Sequence, residues 1–134
     1  MFNKEMYNKH ILPEEMVKKA FIASNGELAW KREDLFEVIN TYNNLDYPVE
    51  GLEIWIVKDN GQWDGLIPQK GSNVPGVYTW NASPRKVGEN TKDYCLRTRS
   101  ELFDTLEKFQ VEKEVEEKYL PMIRYNLFVD ISEK

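Results

Sequence analysis

The stretch from Glu50 to Leu66, EGLEIWIVKDNGQWDGL, constrains the fold of this chain more than any other. Leu52, Ile54 and Ile56 alternate onto one face, and Glu53, Trp55 and Val57 onto the other. β-branched and aromatic residues at that period favour a pleated strand. Asn60-Gly61 is a strong short hairpin signal, because both residues tolerate the positive φ of a type I′ turn. A two-residue loop there sets a register in which Lys58 faces Trp63 and Trp55 faces Leu66. A strand apolar on both faces is expected inside its sheet, covered on both sides.

The flanking segments supply the partners such a hairpin needs. Pro13, Glu14 and Glu15 suit a first helical turn, and Met16, Val17, Ala20, Phe21 and Ala23 continue its apolar stripe up to a stop at Asn25-Gly26. A second helix is predicted over 32–42, where Leu35, Val38, Ile39 and Tyr42 recur at helical spacing and Glu33, Glu37, Asn40 and Thr41 occupy the opposite face. Residues 68–75 and 81–90 read as loops around a short strand, 76–80, with Tyr78 and Trp80 on one face. Thr91–Leu96 reads as a helical turn or two. Thr98 and Glu101 then form a capping box that opens a helix burying Leu102, Phe103, Leu106 and Phe109. The period slips near Gln110-Val111, so a break is expected before a second piece that Pro121 closes. Ile123, Tyr125, Leu127, Val129 and Ile131 alternate as a half-buried strand expected to pair with 50–58 or its neighbour. The order implies one α+β domain over 1–134, with residues 1–11 frayed: a mostly antiparallel sheet with a central Trp-bearing hairpin, packed by two N-terminal helices and one broken C-terminal helix.

Few residues offer chemistry. The single cysteine, Cys95, excludes an internal disulfide, and the opening residues lack the apolar run of a secretory signal, so a cytoplasmic location is expected. His10 is the only histidine and a poor candidate base. Arg97 and Arg99 follow Cys95 and could lower its pKa, although packing is the commoner role of such a thiol. No Cys/His spacing fits zinc and no Gly-rich phosphate loop is present, so no cofactor or metal is expected. Glu53 and Asp64 could form a carboxylate pair only through folding. A small enzyme using Cys95 or such a pair is therefore one alternative, and a ligand- or nucleic-acid-binding module another. Net acidity disfavours nucleic acid, whose binding depends on cations.

The net charge of −5 is unevenly distributed. Residues 27–64 carry −6 and 101–134 carry −4, around a block of +4 over 65–100. This is either an ordinary solvated surface or a field that steers a charged partner. Four tryptophans likewise read either as core or, for Trp63 and Trp80 beside turns, as exposed anchors.

From Gly76 to Leu102 the pattern Trp80…Arg85…Gly88-Glu89…Tyr94…Arg97, after a tryptophan-bearing hairpin, resembles the small immunity proteins of bacterial polymorphic toxin systems. The resemblance extends over residues 28–106. It implies a compact α+β protein without a catalytic set, which binds a cognate toxin domain, often a nuclease, and occupies or flanks its active site. It further implies a basic partner and contacts through Trp63, Trp80, Arg85 and Glu89 near the loops and Glu33, Asp34 and Glu37 on the second helix; no membrane association is expected, since no apolar run approaches the roughly 18 residues of a span. For Arg85 and Glu89 the competing reading is an ion pair that only holds the 81–90 loop.

Overall fold

The computed structural model describes residues 11–130. The fraying expected at 1–10, His10 and the strand position Ile131 lie outside them. Ile11 and Leu12 pack on the main core. The elements are α1 (Glu14–Lys19), β1 (Phe21–Ile22), β2 (Leu28–Trp30), α2 (Arg32–Asn44), β3 (Val49–Val57), β4 (Trp63–Asp64), β5 (Leu66–Ile67), β6 (Gly76–Val77), β7 (Thr79–Asn81), α3 (Thr91–Lys108) and β8 (Ile123–Val129). Two 3-10 turns, Val111–Lys113 and Glu117–Met122, lie between α3 and β8. This is the α+β fold expected, and every strand pair is antiparallel.

The sheet runs β1-β2-β8-β3-β4, with β7 sharing the β4 edge of β3. β8 pairs with β3 along its length, from Val49↔Val129 to Ile56↔Ile123, as the alternation of both segments requires. One face of the sheet (Leu28, Trp30, Leu52, Ile54, Ile56, Tyr125, Leu127) packs against Leu35, Val38, Ile39 and Tyr42 of α2 and Leu102 and Leu106 of α3. The other face buries a smaller group, Ala23, Ala29 and Trp55, against Phe21, Val57 and Trp63. β3 is thus covered on both sides, but the second cover is made by aromatic side chains of the sheet itself.

Four local expectations are corrected. The hairpin turn is one residue longer than a type I′ loop: the Gly61 N–H donates to the Lys58 carbonyl, and Gly61 takes φ 85° after a tight turn. The register becomes Val57↔Trp63 and Ile56↔Asp64. Because side chains alternate, that single-residue shift moves Trp63 to the face of Trp55. Trp55 does not oppose Leu66, which leaves the sheet to pair with Val77. Next, α1 ends at Lys19, Ala20 is extended at ψ 150°, and Phe21 enters β1. Asn25-Gly26 accordingly turns a hairpin into β2, with Gly26 at φ 88°, rather than ending a helix.

The third correction concerns α3, which runs unbroken from Thr91 and is capped by Asn90, whose side chain accepts the Asp93 N–H at 2.8 Å. Thr98 lies fully buried inside it and donates to the Cys95 carbonyl, so there is no capping box. Lastly, the helix does break near Gln110, but two 3-10 turns replace the expected second helical piece, and Pro121 lies within the second of them.

Candidate partner-binding surface

The 81–90 loop is fastened to α3 by one guanidinium. Arg97 Nε and Nη2 each lie 2.8 Å from an oxygen of Glu89, and Nη1 lies 2.6 Å from Glu101. The same group donates to the carbonyls of Ser83 and Pro84. Glu101 also accepts the Ser83 N–H and hydroxyl, at 3.0 and 3.1 Å. A planar fork holding two carboxylates is a geometry available to Arg and not to Lys. The Arg85 and Arg97 guanidinium carbons lie 4.7 and 5.2 Å from the Tyr94 ring centroid. The Tyr94 hydroxyl donates to Glu50 on β3, and its pKa is raised by burial and by that carboxylate.

Hydrogen bonds from Arg97, then the Lys86 backbone N–H, lower the Glu89 pKa from 4.5 to about 2. Burial pushes the Glu101 carboxyl up, but Ser83 and Arg97 outweigh it and the net shift is down. Since both carboxyls are shifted down, the stabilisation they provide is complete above the unfolded value of 4.5 and disappears as pH falls through the folded values. The amides of Ser83, Lys86 and Glu89, which donate to Glu101, Glu89 and the Lys86 carbonyl, should therefore keep their hydrogen-exchange protection down to about pH 4.5 and lose it toward about pH 2. In Arg97→Ala they should be unprotected at neutral pH while β3 and β8 amides remain protected.

The second feature is the outward step between α2 and α3. The helices run antiparallel, as three contacts in register demonstrate: Asn40 accepts from Arg99 at 3.2 Å, Phe36 lies 5.0 Å from Phe103 ring to ring, and Arg32 donates to the Leu106 carbonyl. Phe36 falls outside the buried stripe of Leu35, Val38, Ile39 and Tyr42 and is 38% exposed. Glu33 and Glu37 flank it on the same helix face, and Glu107 lies one turn beyond Phe103. All three are exposed and make no ion pair among the described residues. Asp34 is half-buried and lies 4.0 Å from Lys19.

The seven expected contact residues thus fall in separate places. Trp63 stacks on Trp55 at 4.2 Å on the outer sheet face. Trp80, opposite Leu52, lies on the helix-covered face and is partly buried in the main core. Arg85 and Glu89 belong to the Arg97 centre, where Glu89 binds Arg97 and Arg85 stacks on Tyr94. Glu33, Asp34 and Glu37 lie together on α2. Sequence reasoning overlooked Phe36, Phe103 and Glu107 as surface residues. The available signal was a phenylalanine off the apolar stripe of α2.

The residues considered for catalysis are also apart. Cys95 is 1% exposed. Glu53 accepts from the Trp55 indole on the outer face, while Asp64 pairs with Ile56 on the opposite face and accepts the Leu66 N–H. No group of three His, Cys, Asp or Glu side chains suited to a metal ion occurs among the described residues, and no helix among them is long and apolar enough to cross a membrane. Compared with known proteins, the chain matches no family model, no curated sequence and no solved structure.

Proposed function

We propose that this is a non-enzymatic binding protein of the immunity type, which acts in the cytoplasm and neutralises a cognate toxin domain with a basic surface by occupying or flanking its active site. The observation that carries this reading is the unequal use of charge. In the cationic block over 65–100, three of the six cations, the arginines, are engaged within the protein, Arg97 with Glu89 and Glu101, Arg85 on Tyr94 and Arg99 with Asn40, while Lys70, Lys86 and Lys92 are exposed. Glu33 and Glu37 of the acidic block face outward. A surface arranged this way attracts cations at long range, and carboxylates can take the positions of substrate phosphates on a nuclease.

Co-expression with the toxin domain encoded beside its gene provides the test. Growth should be restored and the two chains should co-purify. Unrelieved toxicity together with no complex would refute the proposal.

A further inference from the structure

We propose that the step between α2 and α3 is the docking site for that partner, and that it receives a basic polypeptide segment carrying an apolar side chain. This rests on the binding-protein reading and adds the surface and the chemistry of what it takes. Phe36 and Phe103 meet at a 59° tilt, and Phe36, 38% exposed, lines a cleft with Leu120, Pro121 and Arg124. Leu96, at 43% exposed, extends the apolar strip along α3 beyond Arg99. Partly exposed aromatics ringed by polar groups are the composition of an interface centre.

Charge selects the occupant. Arg32 donates to the Leu106 carbonyl and Arg124 to the carbonyls of Pro121 and Ile123. The half-buried Asp34 interacts electrostatically with Arg124, and Glu112, also half-buried, lines the same cleft as Arg32. Asp104 and Lys108 pair with each other at 3.0 Å, and Arg99 is held by Asn40. Outward around the two phenylalanines remain Glu33, Glu37 and Glu107 against Lys31. The rim is therefore acidic and suits lysines or arginines flanking an apolar side chain.

The rival apolar patch is the β5–β6 arm, where the paired Leu66 and Val77 are 49% and 63% exposed and Val74 is 70% exposed. The residues between its strands (Pro68–Pro75) include Lys70 and no carboxylate, and the acids that share a cleft with Leu66, Asp59 and Asp64, have Lys58 beside them.

Titration calorimetry with the neighbouring toxin domain, at low and high salt, separates the possibilities. Phe36→Ser should weaken binding on the order of tenfold or more. The double reversal Glu33→Lys/Glu37→Lys should weaken it by a similar factor at low salt and flatten the salt dependence. These two glutamates are exposed, so the reversal tests the proposal even if Phe36→Ser perturbs packing. The pair Leu66→Ser/Val77→Ser should bind like the wild type. If the α2 variants bind normally and the arm variants do not, the docking site is overturned while the binding function stands. If the wild type itself does not bind, the functional reading fails, and the docking site with it.

Discussion

Trp55→Ala should lower the unfolding free energy by about 3–5 kcal/mol, the usual cost of truncating a buried aromatic. Trp55 is 1% exposed although it lies on the sheet face away from the helices. Its cover is Trp63, stacked at 4.2 Å and 23°, and Phe21, edge-on at 6.4 Å. Its indole N–H also satisfies Glu53. Removing the ring deletes both aromatic contacts and leaves that carboxylate without its donor. The short strands β1 and β4 have few other attachments with which to collapse into the gap. Chemical denaturation should show a lower midpoint with an unchanged slope. Trp63→Ala, at a partly exposed position, should cost less. A loss below about 1 kcal/mol for Trp55→Ala would mean that the outer face is not a packed cluster.

Gly51→Val should be nearly as damaging, for the opposite reason. A β-carbon at Gly51 would lie 2.4 Å from the Trp80 carbonyl oxygen and 2.9 Å from Phe128. Gly51 occupies the irregularity where the β3–β8 register shifts, with β7 pairing on its other edge. The obstacle is backbone, so relief requires β7 to leave β3. Overpacking of this kind costs about 1–3 kcal/mol and occasionally more, and the upper end is expected here. Thermal unfolding would measure the loss, and faster exchange of the amides at Asn81 and Ala82 would locate it. Gly61→Ala is the control: its β-carbon would meet nothing, and only the positive φ of 85° is unfavourable, at about 1 kcal/mol.

The parts of this molecule legible in its residues are those with a long, regular period. The alternation in 50–57 and 123–129 predicts the two central strands and leaves the partner of the second as the first or its neighbour, and the spacing of Leu35, Val38, Ile39 and Tyr42 predicts α2. Short elements were not legible. β1, β5 and β6 have two residues each, too few to show a period, and each exists because a neighbouring strand edge accepts its backbone. Thr98 and Glu101 matched a capping box by spacing, but the Asn90 cap and packing across the whole of 91–108 carried the helix through them.

The candidate site divides in the same way. Glu33 and Glu37 could be placed on one exposed face because both belong to a single helix. Arg97 and Glu101 are also one turn apart, yet the centre they form requires Ser83 and Glu89, which the loop brings from outside the helix. The step at Phe36 required a second helix, since only antiparallel packing sets Phe103 beside it.

Periodicity by itself determined that this chain makes an antiparallel sheet with helices packed on it, because burying alternating or helically spaced apolar side chains admits few other solutions. Tertiary structure decided which charges are neutralised inside and which face water, and which aromatic rings meet. Those outcomes depend on one-residue choices of register and on contacts between distant segments, which local spacing does not encode.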